Sequence, residues 1–180
     1  MISTIIKNKN MKQISLIFGL FFFVYPIFSQ ETAELYHYKT SSGYKWTSFK
    51  NDKYRRKYKG EIKNGIPHGF GIQFYKNGDT YFGEHKNGSP NGKGRAIYKD
   101  GAMYLGEYKK GKFHGKGKFI WKDGYYHEGE FREGRANGEG TETLPNGQLK
   151  GEYKDGKPWN VKGYDKEGQI IAHYEKGVLM

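Results

Sequence analysis

The chain of 180 residues contains no cysteine. Disulfides, thiolate zinc sites, thiol catalysis and a lipid-modified N-terminal cysteine are therefore all excluded. Aliphatic residues are scarce. Hydrophobic residues make up 35% of the chain and aromatics alone 17%, so rings supply about half of the apolar content. That balance does not suit a large α/β enzyme. It suits β structure, where Tyr, Phe and Trp fit a pleated, half-covered surface. Proline is sparse at five residues, whereas glycine reaches 27, which calls for many turns. The abundance of aromatics argues against disorder.

Acidic residues are missing before Glu31, while Lys7, Lys9 and Lys12 form a basic start. The only long apolar run, Ile14 to Phe28, is interrupted by Pro26. It is shorter than the roughly 20 residues of a membrane span. It matches the apolar core of a secretory signal peptide covering residues 1–29. Cleavage would follow Ser29, with Ile27 a poor fit to the small-residue rule; an uncleaved anchor is the alternative. Met11 offers a second start. Removing the three lysines leaves 28 basic against 19 acidic residues, a charge of +9. Outside the cytoplasm such a chain would meet anionic lipid or glycan rather than genomic DNA, although charge alone names no partner.

From Tyr58 the sequence repeats every 23 residues. The rows begin "YKGEIKNGIPHGFG", "YFGEHKNGSPNGKG", "YLGEYKKGKFHGKG" and "HEGEFREGRANGEG", and a fifth starts one residue early at Leu149. Gly60, Gly83, Gly106, Gly129 and Gly151 are equivalent, and so are Glu61, Glu84, Glu107, Glu130 and Glu152. Such register makes the chain a repeat array.

Each row reads as a β-hairpin. Tyr104, Gly106 and Tyr108 alternate with Leu105, Glu107 and Lys109, the period of a strand. Asn77-Gly78, Asp100-Gly101, Asp123-Gly124 and Asn146-Gly147 between rows carry the two-residue type I′ signal. The reversal inside each row, as in "GKFHG", reads as longer. The fold expected is all-β: a single-layer antiparallel meander of consecutive hairpins. It advances roughly 10 Å per repeat, on the order of 50 Å in all. Recurring glycines would let aromatics lie across the sheet. Tyr58, Tyr81, Tyr104, Tyr108, Phe131 and Tyr153, with Ile62, should form a spine, and the first six are the candidate interaction face.

Residues 30–57 precede the array at 58–156 and should cap it with one or two edge strands. Arg55, Arg56 and Lys57 would blunt that edge. Residues 157–180 form a degenerate repeat and C-terminal cap, with Trp159 covering the open end.

The row "YLGEYKKGKFHGKGKFIWKDG" resembles the MORN (membrane occupation and recognition nexus) repeat over about 58–177. His127 and Leu149 depart from the leading Tyr, His85 from the central aromatic, and Asn91 and Asn137 from the loop His. The resemblance implies a twisted sheet with a groove and a role in binding or scaffolding, with phospholipid binding attributed to some members. It implies no chemistry of its own.

No local motif points to catalysis. Gly115-x-Gly117 lacks the third glycine and the helix of a phosphate loop. His68 and His114 should lie ~20 Å apart, too far to share a metal. The glutamates form a ladder at roughly 10 Å, beyond a glycosidase pair, and share one environment; they should accept backbone hydrogen bonds or pair with Lys. Ser41, Ser42, Ser48 and Ser89 lack a nucleophile context. Asn87-Gly-Ser is a sequon discounted for its tight loop. Lys116, Lys118, Phe119 and Trp121 interleave charge with rings, which a strand with one wet face also produces.

No catalytic, cofactor or metal residue is assigned. The expected role is an exported, non-enzymatic binding or scaffold surface for a protein or envelope partner, with Lys112, Lys116 and Lys118 as candidate basic contacts. No nucleic acid is expected. The alternatives are peripheral attachment to anionic membrane and, more remotely, a glycan or peptide hydrolase.

Overall fold

The computed structural model describes residues 31–50 and 52–180. The signal segment read at 1–29 lies outside the described residues. The chain forms β1 (Thr32–Thr40), β2 (Gly43–Thr47), β3 (Arg56–Lys63), β4 (Ile66–Tyr75), β5 (Thr80–Lys86), β6 (Ser89–Ile97) and β7 (Met103–Lys109). Then follow β8 (Lys112–Ile120), β9 (Tyr126–Arg132), β10 (Arg135–Leu144), β11 (Gly147–Lys154), β12 (Lys157–Asp165), β13 (Ile170–Glu175) and β14 (Val178–Leu179). All join one open sheet in the order β14 back to β3, then β1 and β2. The predicted all-β meander is the observed fold. At ~4.8 Å per strand the sheet runs on the order of 60 Å.

A line of glycines crosses nine strands. Gly60, Gly71, Gly83, Gly94, Gly106, Gly117, Gly129, Gly140 and Gly151 are successive cross-strand partners from β3 to β11. A Cβ at Gly71, Gly94 or Gly117 would overlap the ring of Tyr58, Tyr81 or Tyr104. These three glycines are therefore required by the rings lying over them. On β12 the next place is Val161, paired with Gly151, and row five opens on Leu149 instead of Tyr. A filled floor and a shorter leading side chain go together.

The two kinds of reversal are the opposite of the sequence expectation. The tight two-residue turns lie inside the rows. Asn64, Asn87, Lys110, Glu133, Asp155 and Lys176 have φ of 50° to 53°, and each precedes a glycine also at positive φ. That is the type I′ pattern. Between rows the loop is longer: Tyr75 N–H donates to Asp79 O and Gly78 N–H to Tyr75 O, as in a type I turn closed by a glycine bulge. Asn77 and Asp100 act as side-chain acceptors there, for Asp79 N–H at 3.2 Å and Ala102 N–H at 3.0 Å. This Asx geometry is the competing use of the same residues. After row four the loop shrinks to Pro145-Asn146, with Leu144 pairing directly to Gly147. The lost residue is why row five starts one place early.

The "GKFHG" segment is a bulged strand. Gly106 pairs with Gly117 but Glu107 with His114, so Gly115 and Lys116 are extra residues of β8. His114 thus sits in a strand beside the bulge, not in the turn. In row five the loop glycines are gone and one extra residue remains, between Glu152↔Asn160 and Tyr153↔Pro158. Neighbouring rows are tied at their turns: Gly88, Gly111, Gly134 and Gly156 donate N–H to the carbonyls of Pro67, Pro90, Phe113 and Ala136.

Both caps differ in detail from expectation. The N-terminal segment adds two strands, but β1 and β2 lie outside β3, so Arg56 and Lys57 are not at the edge. Arg56 lies over the Trp46 ring at 5.3 Å. The connection from β2 to β3 covers the other face of β1, where Tyr38 donates to Phe49 O and Tyr36 packs edge-on against Tyr54. At the far end Trp159 is not the outermost cover. β13 and β14 extend beyond it, and Gly177 N–H donates to its carbonyl at 2.8 Å.

Candidate functional site

The tyrosine face carries a continuous herringbone of rings. Tyr58, His85, Tyr81, Tyr108, Tyr104, Phe131, His127 and Tyr153 follow one another edge to face, with centroids 4.5 to 5.4 Å apart. Such pairs add about 0.5–1.5 kcal/mol each beyond burial. The N-terminal hairpin continues the series through Trp46 and His37. Tyr58, Tyr81 and Tyr104 also donate their hydroxyls to the carbonyls of Glu61, Glu84 and Glu107 at 2.7, 2.9 and 3.2 Å.

This packing corrects the candidate interaction face. Tyr58, Tyr81, Tyr104, Tyr108, Phe131 and Tyr153 retain only 0% to 7% exposure. They form the core of a one-layer protein, because each ring lies against its neighbours and the glycine floor rather than standing out from the sheet. Burial raises the pKa of the five tyrosines among them. It also lowers the pKa of the three histidines packed among the rings. His37 and His85 are lowered to about 4, His37 by burial with help from Arg56 and Arg55, and His85 by burial against an opposing bond to Gly83 O. His127 is lowered by burial alone.

The glutamate ladder faces the other way, and three of its members hold backbone. Phe70, Lys93 and Lys116 donate bulge N–H groups to Glu61, Glu84 and Glu107 at 2.6, 2.9 and 3.2 Å. Glu152 accepts instead from the Asn160 side chain at 2.8 Å. These carboxylates satisfy the donors that the bulges leave unpaired. No group of three His, Asp or Glu side chains comes together to hold a metal among the described residues.

A group of exposed apolar side chains lies on this outer face. Phe70, Phe74, Phe82, Ile97 and Leu105 are 37% to 58% exposed. Cross-strand pairing joins them: Ile72 with Phe82, Phe82 with Arg95, Arg95 with Leu105, and Leu105 with Lys118. The apolar side chains therefore lie on β4 to β7 with Arg95 among them, bordered by Lys57 and Lys59 of β3 on one side and Lys118 of β8 on the other. Sequence reasoning missed it because these positions do not recur. Place two of each row reads Lys59, Phe82, Leu105 and Glu128, so a repeat pattern averages the patch away.

The three candidate lysines share this face but differ in state. Lys112 pairs with Glu133 at 2.6 Å. Lys118 pairs with Glu128 at 2.9 Å and lies 3.4 Å from the Tyr126 ring centroid. Lys116 is exposed opposite Glu130. Lys57 and Lys59 both hold Glu34. Burial would raise the Glu34 carboxyl, but bonds from Lys59, Tyr36 and Lys57 outweigh it and lower it to about 2. Among the described residues no helix is long and apolar enough to cross a membrane.

Comparison with known proteins agrees with the repeat geometry. The MORN repeat model matches residues 58–80, 81–103, 104–124 and 127–149, which are the first four rows. The shorter, glycine-poor fifth row is not matched. No curated protein matches the chain. Four register-matched copies spanning half of its length place this chain in the MORN repeat family.

Proposed function

We propose that the protein is exported and acts, without catalysis of its own, as a rigid binding or scaffold surface for a protein partner at the envelope. The observation that carries this reading is the exposed apolar band of Phe70, Phe74, Phe82, Ile97 and Leu105 on the outer face. Contiguous exposed apolar surface rimmed by charge marks interaction sites. Its bordering lysines Lys57, Lys59 and Lys118 are already engaged by Glu34 and Glu128. That leaves apolar side chains set around Arg95 within a charged rim, and Arg is among the residues enriched at protein interfaces. The test is cross-linking and co-purification from the native cell with the wild-type chain and a Phe82→Ser/Leu105→Ser variant. The wild type should recover a defined partner that the variant loses. Equal recovery by both would remove the band from the function.

A second reading is peripheral attachment to anionic membrane. It is supported by the +9 charge of residues 30–180 and by Lys93 and Lys116 exposed on the bulges. Co-sedimentation with anionic vesicles at low salt that disappears at high salt would favour it. Equal failure to bind anionic and neutral vesicles would end it.

A further inference from the structure

Row four is built differently from row three on the tyrosine face. In row three the Tyr104 ring is covered by Phe113, stacked at 3.7 Å with planes 10° apart. In row four the leading residue is the smaller His127, and the place of Phe113 is taken by Ala136. The missing volume leaves an open cleft of about 320 Å³ beside β8 to β11. Its walls include Phe113, Phe119, Trp121, Phe131 and Tyr153, with His127 at the base and Arg135 also among the lining residues. The volume lies at the lower end of small-molecule sites.

One carboxylate faces this aromatic cleft. Glu142 pairs across the sheet with both His127 and Leu149. The same place holds Gln73, Ala96 and Phe119 in the earlier rows, so the charge is particular to this site. Glu142 is half-buried and forms no ion pair among the described residues. Its one polar partner is the Tyr153 hydroxyl at 3.4 Å, too long for a strong bond. The groups facing it are His127 from β9 and Tyr153 from β11, with the exposed Arg135 of β10 nearby in the cleft wall. Burial lowers the His127 pKa, which disfavours a cation at the base of the cleft. Burial raises the pKa of this carboxyl group, a cation beside it in the aromatic-lined cleft would favour its charged form, and aromatic rings themselves attract cations.

We propose that this cleft binds a small organic ammonium ion, held by Glu142 and enclosed by the rings of Phe119, Trp121 and Tyr153. Alkylammonium suits both features, since its charge pairs with the carboxylate and its weakly hydrated methyl groups pack on the rings. The site lies on the opposite face from the apolar band and does not depend on the protein-partner reading.

The test is titration of the full chain with choline, tetramethylammonium and the uncharged choline isostere 3,3-dimethyl-1-butanol, followed by calorimetry and tryptophan fluorescence. Saturable binding of both cations, at least tenfold tighter than the isostere, is expected. Glu142→Gln should weaken the cations about tenfold or more and leave the isostere unchanged. Ala136→Phe refills the cleft as Phe113 does in row three and should abolish binding while thermal unfolding stays cooperative. Equal binding of choline and its isostere, no binding by either cation, or unchanged binding in a folded Ala136→Phe chain would overturn the proposal.

Discussion

The ring of Tyr104 lies over Gly117, and a single Cβ at that glycine would occupy the space of the ring. The same relation joins Tyr58 to Gly71 and Tyr81 to Gly94. The backbone at these three glycines is not left-handed, so the demand is for space alone.

Gly117→Val should therefore destabilise the chain by about 1–3 kcal/mol or more through overpacking. The double variant Tyr104→Leu/Gly117→Val copies the Leu149 and Val161 arrangement of row five and should recover part of that loss. Urea unfolding of Tyr104→Leu, Gly117→Val and the double variant checks the coupling; strict additivity of the single effects would refute it.

Lys110 occupies the left-handed place of a type I′ turn at φ 51°. Asn serves there in rows one and two. Lys110→Asn should stabilise by about 0.5–1 kcal/mol, and Lys110→Val should destabilise by about 1–2 kcal/mol. Denaturant midpoints measured side by side decide this.

Glu84 accepts the bulge N–H of Lys93 at 2.9 Å, whereas Glu130 takes no such bond among the described residues. Glu84→Ala should cost about 1–2 kcal/mol and Glu130→Ala less than about 0.5 kcal/mol. Calorimetric melting curves distinguish the two. A hydrolytic activity lost on Glu107→Gln with melting unchanged would instead give the ladder a chemical role.

His85 fills an edge-to-face slot between Tyr58 and Tyr81, and burial lowers its pKa to about 4. The unfolded chain thus binds the proton more readily than the folded one between pH 6.5 and about 4. Stability should fall as pH drops through that window, by up to about 3 kcal/mol for this group. His85→Phe puts at this place the residue that Phe131 already supplies in row four. It should flatten the pH dependence, leaving the contributions of His37 and His127. A wild-type and variant pair with parallel stability-against-pH curves would show that His85 does not titrate on unfolding.

Much of the fold was legible from one row. The alternation around Gly106, the glycine-aromatic pairing and the repeating glutamates are local patterns, and each recurs in the described strands. The caps and reversals were less legible. Lys110-Gly111 closes a two-residue turn because the bulge at Gly115 brings Lys109 opposite Lys112, whereas Asn77-Gly78 lies in a longer loop closed on Tyr75, and only the sheet register reveals that. The site was the least legible part. Tyr104 and Leu105 are both apolar neighbours in one strand, yet one is fully buried and the other 58% exposed.

The sequence by itself determined the repeat, the strand periodicity and the need for glycine beneath rings, since these follow from spacing within 23 residues. Tertiary structure decided which face is closed and which is open. A single layer has no second sheet to cover it, so burial depends on whether successive rows lay their rings against one another. They do so on the tyrosine face, with a gap beside Ala136, and on the outer face they leave the apolar band uncovered.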